Sequence, residues 1–552
     1  MPAEISVESS SSIILEWITN CEKTHPRCAN AMEQVTALPL RLLNIEPRVD
    51  AGVRVVDSRD TSLGPRIQYA TLSHCWGEER VIQTTKETLD RRKQGIEWNS
   101  LPKTFQDAVT IVRSLGILFI WIDSLCIVQD DENDWKHESA RMATIYSNSY
   151  LNIAATGASN SRGGCLSPRA LSYVSRRFEI HSVPVNFLVD PAEHAEPAIF
   201  VRPSFDPIHH RYSTSRRYES DLPDSKVVPL LSRAWVFQER FLAPRTVHFH
   251  PSEMVMECKS SLRCECTGLD KCLARPRKKS LAFQSLDDKE ILDAWIEVVE
   301  EFSRLRLTRE TDRLPALIGV ATVFQAYLKS EYLAGLWRKD LARGLLWDVT
   351  RTVSLLSTGF EPCHRRPSVP TWTWASLILN EGAGIIFPVA HEDTFEVDQR
   401  FEYLETDMPV IATETNFEAS DGKLRVRGAF ITALFCPQQS RISTRDSIII
   451  FDHDIDDTVL VCTITMNADI NAITSDCRRW TNETTMMMIC CLLVGRWVED
   501  DWDTGQQTRY QCSLILRCCS TAQDTFERLG IIDIKEDLDL FDGSVKKFFE
   551  LV

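Results

Sequence analysis

At 552 residues the chain is too long for one hydrophobic core, and length alone suggests roughly three domains. With 43% hydrophobic and 25% charged residues it has the make-up of a folded globular protein, which excludes a largely disordered chain. Lys and Arg number 62 against 78 Asp and Glu, a formal charge of −16, which argues against a general nucleic-acid binder, because that role needs a basic face against the phosphates.

Residues 1–12 are acidic and serine-rich, with no basic stretch ahead of an apolar core, so no secretory leader is expected. The longest strongly apolar run, residues 486–494, is far short of the roughly 20 needed to span a bilayer, so no membrane span is expected. The 18 cysteines then read as reduced thiols of a cytoplasmic protein, most of them small buried apolar residues.

In chain order, residues 13–21 have the spacing of a short amphipathic helix. Cys21, His25 and Cys28 follow at C-x3-H-x2-C spacing, a candidate metal site. A closed zinc site takes four ligands and this spacing supplies three, so zinc is not expected. Residues 39–45 and Val53–Asp57 read as strands, and residues 57–65 as a polar turn. Residues 67–73 form a strand that ends in Ser73, His74, Cys75, Trp76 and Gly77. Ser100 is placed to cap a helix with Pro102 in its first turn. Phe105, Ala108, Val109, Val112 and Leu115 make that helix's apolar stripe, and Gly116 ends it.

Residues 118–122 are a second strand, opening at once into Asp123, Ser124 and Cys126. A second helix is expected from about 133 to 147, with Trp135, Met142, Ile145 and Tyr146 on one stripe. Residues 150–155 are a third strand. Strand, helix, strand, helix, strand is the pattern of a parallel sheet with right-handed crossovers. Residues 158–226 read as an insertion with a few strands, Ala198–Val201 among them. Residues 232–242 read as a helix, and residues 246–250 and 253–257 as a β pair. Cys258, Cys264, Cys266 and Cys272 then crowd four thiols into 15 residues. Residues 275–279 (RPRKK) are a short basic run of the kind found in solvated loops.

From residue 287 to about 347 the pattern is helical, including residues 315–327 and 332–346. Beyond residue 376 it turns β, with runs at 424–434, 459–466, 486–494 and 511–516, and a last helix at 543–551. The expected organisation is an N-terminal segment (1–65) with the Cys/His cluster, an α/β domain (66–260) carrying the insertion 158–226, a helical region (261–350), and a mainly antiparallel β domain (351–552).

Three blocks carry a family likeness. Residues 69–77 read YATLSHCWG, residues 121–146 WIDSLCIVQDDENDWKHESARMATIY, and residues 233–242 RAWVFQERFL. In this order they resemble the fungal heterokaryon incompatibility (HET) domain family. The resemblance implies a role in non-self recognition after hyphal fusion, ending in growth arrest or programmed cell death. It also implies a likeness to TIR domains, hence a parallel-sheet core of TIR or flavodoxin type. Some TIR domains cleave NAD with a glutamate, so NAD is the candidate substrate and an NAD-cleaving hydrolase the candidate activity, with no other cofactor implied. Two other readings stay open: a non-catalytic signalling or scaffold protein that binds a protein partner or itself, and an accessory protein of a secondary-metabolite cluster. The P-loop pattern G-x4-G-K-[ST] does not occur.

Candidate site residues follow from the strand ends, where open α/β sheets bind ligands. Asp123 ends the second strand, either as a turn aspartate or as a site group. Glu138 falls on the apolar stripe of its helix, where a carboxylate needs a partner, for which Arg141 is placed, or a function. These two are the candidate catalytic carboxylates. Cys126 with His74 is a candidate nucleophile and base. Ser73, Trp76, Ser124, Arg233 and Glu239 are the candidate substrate-binding groups.

Overall fold

The computed structural model describes residues 5–28, 37–46, 52–60, 67–77, 81–169, 176–179, 198–201, 209, 228–271, 283–349, 364–366, 369–379, 383–391, 394–407, 422–436, 446–451, 459–464, 487–500, 507–520, 524–535, 540–541, 544 and 546–552. Most of the insertion 158–226, the basic run 275–279 and Cys272 lie outside them. The chain forms two compact units, residues 1–281 and 282–552.

The first unit opens with helix α1 (Val7–Thr24), capped by Ser6, whose side chain accepts the Ser9 N–H. Strands β1 (Arg41–Ile45) and β2 (Val53–Asp57) pair antiparallel. Next come β3 (Ala70–Ser73), α2 (Leu89–Gln94), α3 (Lys103–Ser114), β4 (Phe119–Trp121), α4 (Asp123–Cys126), α5 (Glu132–Ala140), α6 (Met142–Ser147) and β5 (Leu151–Ala154). Two short strands, β6 (Arg176–Glu179) and β7 (Ala198–Val201), pair with each other. Helix α7 (Ala234–Leu242) leads into β8 (Arg245–Phe249), β9 (Met254–Cys258) and β10 (Leu262–Cys264).

Eight of these strands make one sheet in the order β10-β9-β8-β5-β3-β4-β1-β2. The four central strands, β8, β5, β3 and β4, are parallel, and antiparallel pairs flank them on both sides. β3 and β5 are buried at every position, as central parallel strands covered on both faces are, and their polar residues Thr71, Ser73 and Asn152 are buried with the rest. Counted along the chain, the parallel strands lie in the order second, first, third, fourth. The connection leaves β3 on one side to reach β4, then returns past it to reach β5. The crevice between the carboxyl ends of β3 and β5 is therefore the switch point of the sheet, where open α/β folds place ligands.

Helix α3 buries Phe105, Ala108, Val109, Ile111 and Val112 against this sheet. It starts one residue after Pro102, which is extended at ψ 158° and occupies the cap position; Ser100 lies in a preceding 3-10 turn, not at the cap. Gly116, at φ 78°, ends the helix as its sequence position suggests. The helix expected from 133 to 147 is two helices, broken at Arg141, which is C-cap to α5 and N-cap to α6.

In the second unit, helix α8 (Asp288–Ser303) carries a capping box from Asp287 and Glu290, and α9 (Pro315–Leu328) starts with its proline in the first turn. Trp295 of α8 lies 5.1 Å from Phe324, 5.6 Å from Tyr332 and 5.3 Å from Trp337. Residues 332–346, expected to be helical, begin as a hairpin of Tyr332–Leu333 and Leu336–Trp337. Ala334 (φ 47°) and Gly335 (φ 103°) make its two-residue turn, and positive φ at both positions is what such a turn demands. The Gly335 carbonyl accepts from Trp295 Nε1 at 3.0 Å and Trp374 Nε1 at 3.2 Å.

The β part of this unit is a nine-stranded sheet. Strand Leu424–Cys436 pairs with Lys546–Leu551 on one side and Met487–Asp500 on the other. Met487–Asp500, Gln507–Ser520, Thr525–Lys535 and Lys546–Leu551 continue the ladder, so five strands close on themselves and protect their edges. All these pairings are antiparallel except Thr525–Lys535 with Lys546–Leu551, which is parallel. Residues 546–551, expected to be helical, are thus a strand; Phe549 and Leu551 are buried in it at period two, and Phe548 points out. Arg528 is fully buried, with its guanidinium 3.6 Å from the Trp347 ring centre and its side chain on the Leu345 and Trp347 carbonyls.

A Cβ on Gly335 would sit 2.6 Å from Trp374 Nε1 and would strain a positive φ. Gly335→Ala is expected to destabilise the second unit by about 3 kcal/mol, read as a lowered unfolding midpoint in urea.

Candidate functional site

Helix α7 sits over the switch-point crevice. Val236 of α7 and Leu230 just before it pack against Cys75, beyond β3, and Ala154, the last residue of β5. Arg233, the N-cap of α7, donates from Nη1 to the His74 carbonyl at 2.7 Å. One turn and a half further on, Glu239 reaches the end of β3, beside the Ser73 hydroxyl and the Tyr146 phenol.

The groups around this junction come from every central element. Asn152 of β5 is fully buried and accepts from the Thr71 hydroxyl at 3.0 Å and the Ser73 hydroxyl at 3.2 Å. Tyr146 donates to the Leu72 carbonyl at 3.4 Å and meets Trp121 edge-on at 5.8 Å. Asp123 accepts from Trp76 Nε1 at 2.9 Å and from the Ser124 N–H at 2.7 Å, and its other oxygen-facing neighbour is His74 Nδ1 at 3.9 Å. His74 is edge-on to Phe105 at 4.9 Å. The turn after Trp76 closes through Gly77, at φ 79°, where a Cβ would collide with Asn160.

Four buried polar atoms in this region, His74 Nε2, Trp121 Nε1, Ser124 Oγ and Glu239 Oε2, have no hydrogen-bond partner. Buried polar atoms are ordinarily paired, so these four are where a water or a ligand could bond. The electrostatics agree. Burial pushes the Glu239 carboxyl up to about 7, the Asp123 charge adds to this, and Ser73, Arg233 and Tyr146 oppose it. Burial likewise holds His74 below the usual imidazole range, against the pull of Asp123. The junction therefore presents a neutral imidazole, a carboxyl that titrates near neutrality, and Asp123, whose side chain is 29% exposed.

Of the residues expected from sequence, Ser73, His74, Trp76, Asp123, Ser124, Arg233 and Glu239 come together here. Glu138 and Cys126 are differently placed. The Glu138 side chain has no exposed surface and is held by Arg141 Nη1 at 3.1 Å, the Leu40 N–H at 3.3 Å and His137 Nδ1 at 3.3 Å. Arg141 also donates to the Leu38 carbonyl, so this pair pins the chain before β1 onto α5. Cys126 is fully buried, and burial pushes its thiol up to about 12, which leaves it protonated at neutral pH. Asn152 was not singled out from sequence, and Tyr146 was read only as part of the apolar stripe of its helix. The signal for Asn152 was a lone amide in an otherwise apolar buried strand, LNIA.

Two further side-chain groups have metal-ligand character. The ligand atoms of Cys21, His25, Cys28 and Cys258 all lie within 4.8 Å of one another, and so do those of His209, Glu253, Cys264 and Cys266. Of the four thiols expected as one cluster, the three described are divided: Cys258 joins the N-terminal group, and Cys264 and Cys266 join His209 and Glu253.

Because folding raises the Glu239 carboxyl from 4.5 to about 7, the native state holds this proton more tightly than the unfolded chain. Its contribution to stability is complete below pH 4.5 and is lost as pH rises to about 7. Relative to Glu239→Gln, the wild type should lose about 3 kcal/mol across that window, measured by denaturant unfolding at each pH. Cys126 should resist alkylation at pH 7.5 in the native chain and react only on unfolding, as read by peptide mass spectrometry.

No curated protein and no solved structure matches the chain. A family model described as Heterokaryon incompatibility protein (HET) matches residues 69–239, the stretch that runs from the start of β3 to Glu239 and contains the junction just described. Over these residues the chain is similar to the heterokaryon incompatibility (HET) family, in line with the resemblance carried by its three sequence blocks.

Proposed function

We propose that this protein is an effector of heterokaryon incompatibility in a filamentous fungus, and that its α/β unit cleaves the N-glycosidic bond of a nicotinamide dinucleotide. The observation that carries the reading is the pair of carboxylates at the strand ends, with Glu239 titrating near neutrality beside Asp123. Two carboxyl groups with different environments are what glycosidic cleavage uses.

In this mechanism the bond from ribose C1′ to the pyridinium nitrogen breaks and its electron pair stays on nitrogen, so nicotinamide leaves as a neutral molecule. Positive charge develops on the ribose, and the Asp123 carboxylate stabilises it. Water adds to C1′, and its proton passes to the Glu239 carboxylate. Trp76 fixes Asp123 through its indole N–H, and Arg233 fixes the turn that carries Trp76 through the His74 carbonyl.

Burial of the junction supports a second reading, in which the polar groups only hold α7 in place and the unit signals by self-association. Of the two carboxylates, Glu239 is 8% exposed.

Nicotinamide release from NAD by the purified full chain separates the two. The catalytic reading expects turnover that rises as pH passes through about 7. It also expects a loss of at least about 100-fold in Glu239→Gln and in Asp123→Asn, with circular dichroism unchanged. Intact NAD together with concentration-dependent oligomers in light scattering would establish the scaffold reading instead.

A further inference from the structure

The group at the end of α1 has the geometry of a closed metal site. Cys21 lies in the last turns of α1, His25 is its C-cap, and Cys28 follows one short turn later. Cys258 is the final residue of β9. All four ligand atoms are within 4.8 Å of one another, and His25 Nδ1 lies 3.5 Å from Cys258 Sγ. Tetrahedral zinc with Zn–S of about 2.3 Å and Zn–N of about 2.0–2.1 Å has ligand-to-ligand edges of about 3.5–3.8 Å.

The surroundings suit thiolates. Cys258 Sγ accepts the backbone N–H groups of Ser260 at 3.4 Å and Ser261 at 3.2 Å, the hydrogen bonds that orient and stabilise a ligating sulfur. Three thiolates and a neutral imidazole around Zn2+ carry a net −1. The fully buried Arg245 lies beside Cys21 and shares its positive charge between that thiol and Glu22, 3.4 Å away. The three cysteines are buried free thiols, which leaves no open coordination position of the kind a catalytic zinc keeps.

We propose that Cys21, His25, Cys28 and Cys258 hold a structural zinc ion that clasps α1 to the end of β9. The donor set of three thiolates and one imidazole selects zinc over magnesium, calcium or manganese. The ion joins two segments 233 residues apart and contributes folding free energy to the whole unit.

The test is zinc content of the full chain, purified under reducing conditions from medium supplemented with zinc chloride, by native mass spectrometry and elemental analysis. Wild type should hold one zinc per chain more than Cys258→Ser. Cys266→Ser, which alters only the other group, should keep that zinc. In Cys258→Ser, limited proteolysis should cut the segment before residue 40 readily. Equal zinc in wild type and Cys258→Ser, a zinc-free wild type, or loss of all zinc in Cys266→Ser would each overturn the proposal.

Should Cys258→Ser fail to fold, cobalt exchange into Cys266→Ser decides. Thiolate-to-cobalt charge transfer with intense tetrahedral ligand-field bands supports the site, and their absence overturns it. A disulfide between any two of Cys21, Cys28 and Cys258 in freshly purified protein would also overturn it.

Discussion

The α/β unit depends on one placement: α7 lies across the crevice at the switch point of its own sheet. Apolar contacts from Leu230 and Val236 to Cys75 and Ala154 hold it there, and the Arg233 bond to the His74 carbonyl sets its start. Once that face is fixed, helical geometry carries Glu239 to the end of β3. A carboxyl delivered into that setting loses water and gains the charge of Asp123 beside it, and together these outweigh the Ser73 and Tyr146 hydroxyls and the Arg233 charge, so it favours its proton. The unusual titration is thus a consequence of packing; no single partner imposes it.

Comparing the two glutamates makes the same point. Glu138 has even less access to water than Glu239, but it meets a guanidinium and a backbone N–H. Burial with full pairing gives a structural tie, here between α5 and the chain leading into β1. Burial with one oxygen left unpaired gives a raised carboxyl, as at Glu239. Both sit on helices at helical spacing from apolar residues, and that spacing alone does not tell them apart.

Much of the architecture was legible because it rests on local rules. The alternating strands and helices, the strand pieces β1 and β2, and the cap at Gly116 all follow from period, composition and turn chemistry. Errors fell where local signals were weak or competing. Residues 332–346 are apolar enough to suit a helix, and the Ala334–Gly335 turn overrides that. Residues 546–551 gain their strand from partners far along the chain, Leu424–Cys436 and Thr525–Lys535. In the site, residues at strand ends were readable from topology. The prominence of Glu239 over Glu138 was not, because it depends on which neighbours each carboxyl meets after folding.

The Cys/His group shows the same limit at its extreme. Three ligands are local, and the fourth arrives from a strand end 233 residues from His25, so the spacing that sequence offers looks incomplete. That distance is also what gives the clasp its leverage. It joins the first helix to β9 and encloses residues 69–239 within one loop. Closing a loop of that length removes much conformational freedom from the unfolded chain, with little strain in the folded one if both ends already meet. With the proposed zinc bound, the stretch that matches the HET model would be held at its margins by the ion and at the switch point by α7, and loosening either would be felt at the strand ends where Asp123 and Glu239 lie.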